Sequence, residues 1–159
     1  MTADPVTPVT VLEGLDAVRA AVGQDLGTSG WTTVTQQQVD TFADATGDHQ
    51  WIHVDVERAT AESPFGGPIA HGYLTLALSN LFLPQIVEVR GVSAGLNRGT
   101  GRVRFPSPVP VGSRLRASAR MDSADDVPGG VDTTITITIE REGSDKPACV
   151  IESLSRWLE

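Results

Sequence analysis

A central stretch of the chain is apolar on almost every side of the helix that it predicts. Its letters, HGYLTLALSNLFL, occupy positions 71–83, and the leucines, Tyr73 and Phe82 do not divide into one apolar and one polar face. A helix that is hydrophobic all round is buried inside a protein or a membrane. Polar residues interrupt the stretch and Pro84 follows it, so we predict a buried helix that ends near Pro84, with no membrane span.

The chain beyond Gly91 changes to a pattern that is typical of antiparallel strands. Residues 131–142, VDTTITITIERE, alternate strictly, with isoleucines on one face and mostly threonines on the other. Residues 101–123 and 148–159 alternate more loosely, and the segments VPGG and EGSDKP supply turns. Strands with one apolar face can curve around one apolar helix and bury both. The predicted fold class is therefore α+β, a single hot-dog fold whose antiparallel sheet wraps the central helix.

The length of 159 residues favours one domain. We expect residues 1–10, with two prolines, to form a flexible leader, and residues 11–159 to form the domain. The segment VLEGLDAVRAAVG, at 11–23, has apolar residues at helical spacing and predicts a first helix that Gly23 ends.

The charge and the cysteine content indicate which kinds of binding partner and which cellular compartment suit the chain. Twelve basic and twenty acidic residues give a net charge of −8, which argues against general nucleic-acid binding. A small anionic ligand needs only a local basic patch and stays possible. The single cysteine, Cys149, excludes an internal disulfide and suits a cytoplasmic location.

The segment ATGDHQWIHVD, at 45–55, concentrates groups that can perform chemistry, including two of the three histidines. On a helix, Asp48 and His53 would point apart, because five residues turn about 140° beyond a full turn. On a strand, their odd spacing would put them on opposite faces. They converge only if the backbone between them is irregular, and Gly47, at the predicted end of a helix that Thr35 caps, supplies such a break.

A carboxylate and an imidazole that converge can hold and activate one water molecule. The addition of water to a double bond conjugated to a thioester also needs a donor for the developing enolate oxygen, and the amide of Gly72 at a helix start suits that role. Simpler interpretations stay open: Asp48 forms a turn, His53 is a structural histidine, and Gly72 allows close packing. His71 receives no chemical role.

A metal site built from Asp48, His49, His53 and His71 is disfavoured. His49 and His53 would share a helix face only if the helix continued through Gly47, and the metalloprotease pattern is absent.

The segment FADATGDHQWIH, at 42–53, together with Ala59, resembles the signature of the MaoC-like, (R)-specific enoyl-CoA hydratases. The segment PIAHGYLTLALSNLF is similar to the start of that family's central helix, and RVRFPSPVPVGSRLR to the strands that follow it. Within the signature, the matching positions are Phe42, Gly47, Asp48, Ile52, His53 and Ala59. Where the family commonly has Asn-Pro, this chain has Gln50-Trp51, which puts the acyl-chain preference in doubt.

The resemblance implies a cofactor-independent hydro-lyase that reversibly hydrates trans-2-enoyl-CoA to (R)-3-hydroxyacyl-CoA. Asp48 and His53 would activate the water, and the Gly72 amide would stabilise the oxyanion. We expect Asp48 to take a proton from water, and His53 to position it and help deliver a proton to Cα. The expected substrate contacts are Gln50, Trp51, Tyr73, Arg102 and Arg104. One or two arginines of the strands are candidates for the CoA phosphates, and the others are expected on a solvated sheet face; the set is Arg98, Arg102, Arg104, Arg114, Arg116 and Arg120.

The resemblance also implies a homodimer, because one hot-dog domain leaves an open sheet edge. Two alternatives stay open. The first is a dehydratase that acts on acyl-carrier-protein thioesters in fatty-acid or polyketide synthesis. The second is a non-catalytic thioester-binding subunit, against which the presence of both Asp48 and His53 argues.

Overall fold

The computed structural model describes residues 9–159, and residues 1–8 of the expected leader lie outside the described part. Helices occupy mainly the first half of the chain and long strands the second half. In chain order the elements are β1 Thr10–Glu13, α1 Gly14–Ala20, β2 Asp25–Thr28, β3 Thr32–Thr33, α2 Gln36–Thr46, α3 Trp51–Val54, α4 Val56–Glu62, α5 Gly72–Ala77, α6 Ser79–Ile86, β4 Val87–Arg90, β5 Ala94–Arg104, β6 Arg114–Val127, β7 Gly130–Arg141 and β8 Cys149–Leu158.

The main sheet has six strands in the order β2-β6-β7-β8-β5, with β3 also paired to β6, and every pairing is antiparallel. The strict alternation predicted for 131–142 is confirmed, because Ile135, Ile137 and Ile139 are each at most 1% exposed. The intervening threonines, Thr136 and Thr138, are only partly buried. One face of the sheet therefore forms the core.

The central helix lies against this apolar face as the consecutive helices α5 and α6. α6 packs on β2, β6 and β7, and α5 packs on β8. Phe82 and Ile86 are almost completely buried there. This arrangement is a hot-dog fold, as the sequence predicted.

The central helix differs from its prediction in two respects. Pro84 lies inside α6 and does not end it. The helix continues to Ile86, held by the burial of Phe82 and Ile86 against the sheet. The helix is also not covered on every side, since Tyr73 is 73% exposed and Leu81 44% exposed.

The predicted first helix is partly wrong. Thr10–Glu13 is a strand that pairs in parallel with β4, and only Gly14–Ala20 is helical. Gly14 has a φ of +75°, a conformation that glycine adopts without strain, and it turns the chain from the strand into the helix. Thr10, which we expected in the leader, is the first residue of this strand.

No helix within residues 9–159 combines the length and the apolar character needed to cross a bilayer.

Candidate active site

Asp48 lies in the irregular segment that joins α2 to α3. α2 begins after Thr35, whose side chain accepts a hydrogen bond from the amide of Gln38, and it ends at Gly47. Gly47 has a φ of +79°, the left-handed conformation that terminates many helices. Because α3 starts only at Trp51, Asp48 belongs to neither helix, and its side chain is free to turn toward His53.

His53 lies on α3, is 8% exposed and is held at two places. Its Nδ1 atom lies 2.7 Å from the carbonyl oxygen of Ile69. A carbonyl only accepts, so Nδ1 carries the hydrogen and donates it. The backbone oxygen of His53 accepts from Nε2 of Gln36 at 2.8 Å. The Nε2 atom of His53 is therefore the nitrogen available to a ligand or a water molecule.

His71 completes the cluster, although no chemical role was predicted for it. It is 3% exposed, and its Nε2 lies 2.9 Å from the backbone oxygen of Asp48 and 3.9 Å from Oδ2 of the same residue. Its ring stacks on that of His53, with centroids 3.9 Å apart and planes inclined by 29°. In the sequence, the position of His71 directly before Gly72 is the sign that it lies near the site. Sequence spacing alone does not show that His71 contacts Asp48.

A cavity of about 400 Å³ opens at this cluster. One donor or acceptor atom from each of Asp48, His53 and His71 lies within 4.8 Å of the others. The first residue of α5, Gly72, also borders the cavity, and amides of a first helical turn have no partner within their helix. The lining residues are Phe42, Thr46, Asp48, His53, His71, Gly72 and Tyr73. A carboxylate, two imidazoles and a helix-start amide thus border the same space.

The family profile described as "MaoC like domain" matches residues 17–142. The chain belongs to the MaoC-like family. A curated MaoC-like relative, 3-hydroxyacyl-thioester dehydratase Z of Mycobacterium tuberculosis, is 52% identical over 147 residues, which are 92% of this chain and 97% of the relative. Nodulation protein N of Rhizobium meliloti is 46% identical over 140 residues, or 84% of each chain.

Among solved structures, the R-hydratase PhaJ1 from Pseudomonas aeruginosa matches with a TM-score of 0.70 and 22% identity, over 87% of this chain and 82% of that one. At that identity the likeness shows that the two proteins share a fold, which supports the hot-dog architecture.

A second cavity of about 450 Å³ lies beside the first in this MaoC-like domain, between the central helix and the sheet. Phe42 and Tyr73 border both cavities. The other lining residues are Leu76, Ala77, Ser79, Asn80, Leu83, Asn97, Gly99, Thr100, Ile137, Ile151, Ser153 and Ser155. A ligand in the first cavity can therefore extend past Tyr73 into a slightly larger space between the central helix and the strands β5, β7 and β8.

Gly72 packs against Phe105, which follows the end of β5. A Cβ atom at position 72 would lie 3.4 Å from the Phe105 ring, at the edge of ordinary van der Waals contact. Close packing therefore does not by itself require a glycine at this position, and the role of the Gly72 amide stays a prediction.

Four of the expected substrate contacts do not line the two cavities. The backbone N–H of Gln50 donates to Oδ1 of Asp48 at 3.4 Å, so this residue contacts the carboxylate through its main chain. Trp51 packs under the guanidinium of Arg58, 4.4 Å from the ring centre. Arg102 and Arg104 lie exposed on β5, in the part of the strand that leads to Phe105. Their contacts with substrate stay predictions.

His49 is separate from the cluster. It is exposed and pairs through Nε2 with Oδ1 of Asp44 at 2.9 Å, and this hydrogen bond raises the pKa of the His49 imidazole. The remaining trio of Asp48, His53 and His71 is a poor metal site. Its two imidazoles are stacked, and because their lone pairs lie in the ring planes, they do not converge on one ion.

Proposed function

We propose that this MaoC-like chain is a hydro-lyase that reversibly hydrates trans-2-enoyl-CoA to (R)-3-hydroxyacyl-CoA. The observation that carries the proposal is the convergence of Asp48 and His53 in one cavity that the Gly72 amide also borders. The family and the dehydratase that is 52% identical support the reaction class. The (R) configuration and the CoA carrier are the parts of the proposal that rest on family resemblance.

The proposed hydration divides two proton steps between two residues. Water bound between Asp48 and His53 gives a proton to the carboxylate as its oxygen bonds to Cβ of the enoyl group. The electron pair of the double bond moves to the thioester oxygen, and the Gly72 amide stabilises the resulting enolate. The imidazolium of His53 then gives a proton from Nε2 to Cα. Since Asp48 gains one proton and His53 loses one, a proton transfer between them resets the pair.

The hydrogen bond from His53 to Ile69 is compatible with this cycle. Nδ1 keeps its hydrogen in both the neutral and the protonated ring, so only Nε2 changes its state. The ring therefore keeps its orientation while it accepts and releases a proton.

The second cavity offers a place for the acyl chain. A thioester whose carbonyl faces Gly72 would extend its chain past Tyr73 and along Leu76, Ala77 and Leu83 of the central helix. Arg102 and Arg104 would meet the CoA phosphates from β5, which helps a chain with a net charge of −8 to bind an anionic ligand. Gln50 and Trp51 would act at the margin of the site.

We further propose that the protein is a cytoplasmic homodimer joined along β5. Among residues 9–159, β5 pairs with only one strand, β8, and most of its residues are exposed. Exposed strand edges are ready templates for pairing with another strand.

The main alternative is a dehydratase that acts on carrier-protein thioesters. The name of the Mycobacterium tuberculosis relative specifies a thioester and no carrier, which keeps this substrate class open. A non-catalytic subunit is the weaker alternative, because Asp48 and His53 are both present and converge.

The deciding experiment is a hydration assay of the purified full chain with crotonyl-CoA, in which the loss of the conjugated thioester absorbance is followed. Chiral analysis of the product tests the (R) configuration. Matched acyl-CoA and acyl-carrier-protein substrates distinguish the two carriers by their kcat/KM values. Binding of crotonyl-CoA without turnover would favour the non-catalytic subunit, and release of free thiol would indicate thioester hydrolysis instead.

A further inference from the structure

We propose that His71 is a positioning residue that holds Asp48 and His53 in their relative places. This inference rests on the proposed hydration and adds a third residue to it. His71 acts through its neighbours: it donates to the backbone of Asp48 on one side and covers the ring of His53 on the other.

The first argument is the hydrogen bond to Asp48. Because the carbonyl oxygen only accepts, Nε2 of His71 carries a hydrogen and donates it over 2.9 Å. Asp48 belongs to no helix or strand, so regular secondary structure does not fix its backbone. The bond joins this irregular segment to the start of the central helix, 23 residues further along the chain. The bond thereby fixes the backbone position from which the Asp48 side chain extends.

The second argument is the face-to-face contact with His53. The Nδ1 edge of His53 is held by Ile69, and one face of its ring is covered by His71 at a centroid distance of 3.9 Å. The ring of Phe42 also lies near that of His71, with a centroid distance of 5.0 Å. The stack therefore fixes the plane of the His53 ring, and with it the direction of Nε2.

The third argument is that packing alone does not explain a histidine here. Nδ1 of His71 is buried, and no hydrogen-bond partner for it is found among the described residues. A buried polar atom without a partner is costly, and a phenylalanine ring would fill similar space without that cost. The hydrogen bond that Nε2 donates to Asp48 is therefore what favours histidine over phenylalanine at position 71.

Two variants distinguish the effect of the N–H donor of His71 from the effect of its aromatic ring. His71→Gln retains an N–H donor close to the position of Nε2 and loses the aromatic stack, whereas His71→Phe retains the ring and loses the donor. Measurements on crotonyl-CoA give kcat and KM separately, and thermal unfolding shows that each variant is folded. We expect His71→Phe to lower kcat by about tenfold to a hundredfold with KM within about twofold, because a misplaced catalytic group costs rates of that order. His71→Gln should recover part of the lost kcat, because it restores the donor to Asp48 but not the ring that covers His53.

A wild-type kcat in His71→Phe, or a His71→Gln variant no faster than His71→Phe, would overturn the positioning role and leave the proposed function standing. An inactive wild-type chain would overturn both. The tautomer of His71 gives a test that needs no variant at position 71. Nitrogen NMR of the wild-type chain shows which ring nitrogens carry hydrogen. The chain has three histidines, so the variants His49→Gln and His53→Gln identify the signals of the other two. Hydrogen on Nε2 supports the inference, and a ring that carries hydrogen on Nδ1 alone overturns it.

Discussion

The Nδ1 atom of His53 donates to the carbonyl oxygen of Ile69 over 2.7 Å, and this single bond determines which nitrogen can act on a substrate. Ile69 lies in the segment that leads into the central helix, and its own amide donates to the carbonyl of Ile52 at 3.1 Å. The two backbone segments that carry the site are thus joined at the residue that orients the imidazole.

His53→Ala should reduce hydration by about 10² to 10⁴-fold, the usual contribution of a positioned acid or base. It should also lower the free energy of unfolding by about 1–3 kcal/mol, because the Ile69 carbonyl loses a buried donor. His53→Asn is the matched control: its side-chain amide nitrogen lies close to the position of Nδ1, so it restores a donor to Ile69 and recovers stability without recovering rate. Turnover of crotonyl-CoA and urea unfolding measure the two effects. Near wild-type turnover in either variant would contradict the assignment of His53.

Asp48→Asn should abolish most of the activity and leave the fold unchanged. The amide has the shape of the carboxylate but cannot take a proton from water, and the Asp48 side chain is 55% exposed, so little packing is lost. We expect a loss of about 10² to 10⁴-fold in kcat with an unchanged melting temperature. Asp44→Asn changes an exposed carboxylate of α2 that pairs with His49; it is the control and should keep wild-type turnover. A rate near that of the wild type in Asp48→Asn would exclude the carboxylate as the base.

The elements that the sequence predicted well are those whose signals are local. Thr35 accepts a hydrogen bond from the backbone at the start of its helix, and Gly47 takes the left-handed conformation, as their residue types predicted. Strict alternation likewise identified β7, because a sheet with one buried face imposes a period of two on its side chains.

The parts that the sequence did not predict depend on contacts between distant segments. Thr10–Glu13 forms a strand because β4 lies beside it, which no local pattern reveals. Pro84 is tolerated inside α6 because its neighbours Phe82 and Ile86 are buried on the sheet. His71 reaches Asp48 across 23 residues, so its part in the site needed coordinates.

Ala77→Trp should shorten the range of acyl chains that the enzyme accepts. Ala77 borders the second cavity of about 450 Å³, and an indole there would occupy space proposed for the distal carbons. We expect kcat/KM to fall at least tenfold for long enoyl chains and to change little for crotonyl-CoA. Ala61→Trp, on the exposed side of α4, is the control and should leave the whole chain-length series unchanged. An equal loss at every length would place the acyl chain elsewhere.

Leu96→Glu should dissociate the proposed dimer. Leu96 lies on the edge strand β5 and is 46% exposed. In a dimer joined along β5, a glutamate at this position would lose water and lie near the same glutamate of the second copy, which is costly. Sedimentation should give a dimer for the wild type and a monomer for Leu96→Glu. Val22→Glu changes a residue of similar exposure, 44%, away from β5 and should remain dimeric. A wild-type monomer, or a dimeric Leu96→Glu, would remove β5 as the interface.

Cys149 should be unreactive in the folded protein and should make stability depend on alkaline pH. Burial raises the pKa of its thiol to about 11. The unfolded thiol titrates near 8.5, so from about pH 8.5 to 11 the unfolded chain releases a proton that the folded chain keeps, and stability falls as the pH rises. A disulfide reagent at pH 8 should label the native thiol far more slowly than the urea-unfolded one, because the thiolate is the nucleophile.

The control for this pH dependence is Cys149→Ala, which carries no thiol but keeps every other titrating group. Urea unfolding at pH 8 and at pH 10.5 gives the loss of stability for each protein. The loss should be larger for the wild type than for Cys149→Ala, since only the wild type has a thiol whose ionisation favours the unfolded chain. Equal losses, or labelling of the native protein as fast as of the unfolded one, would show that Cys149 is accessible to water and ionises in the folded state.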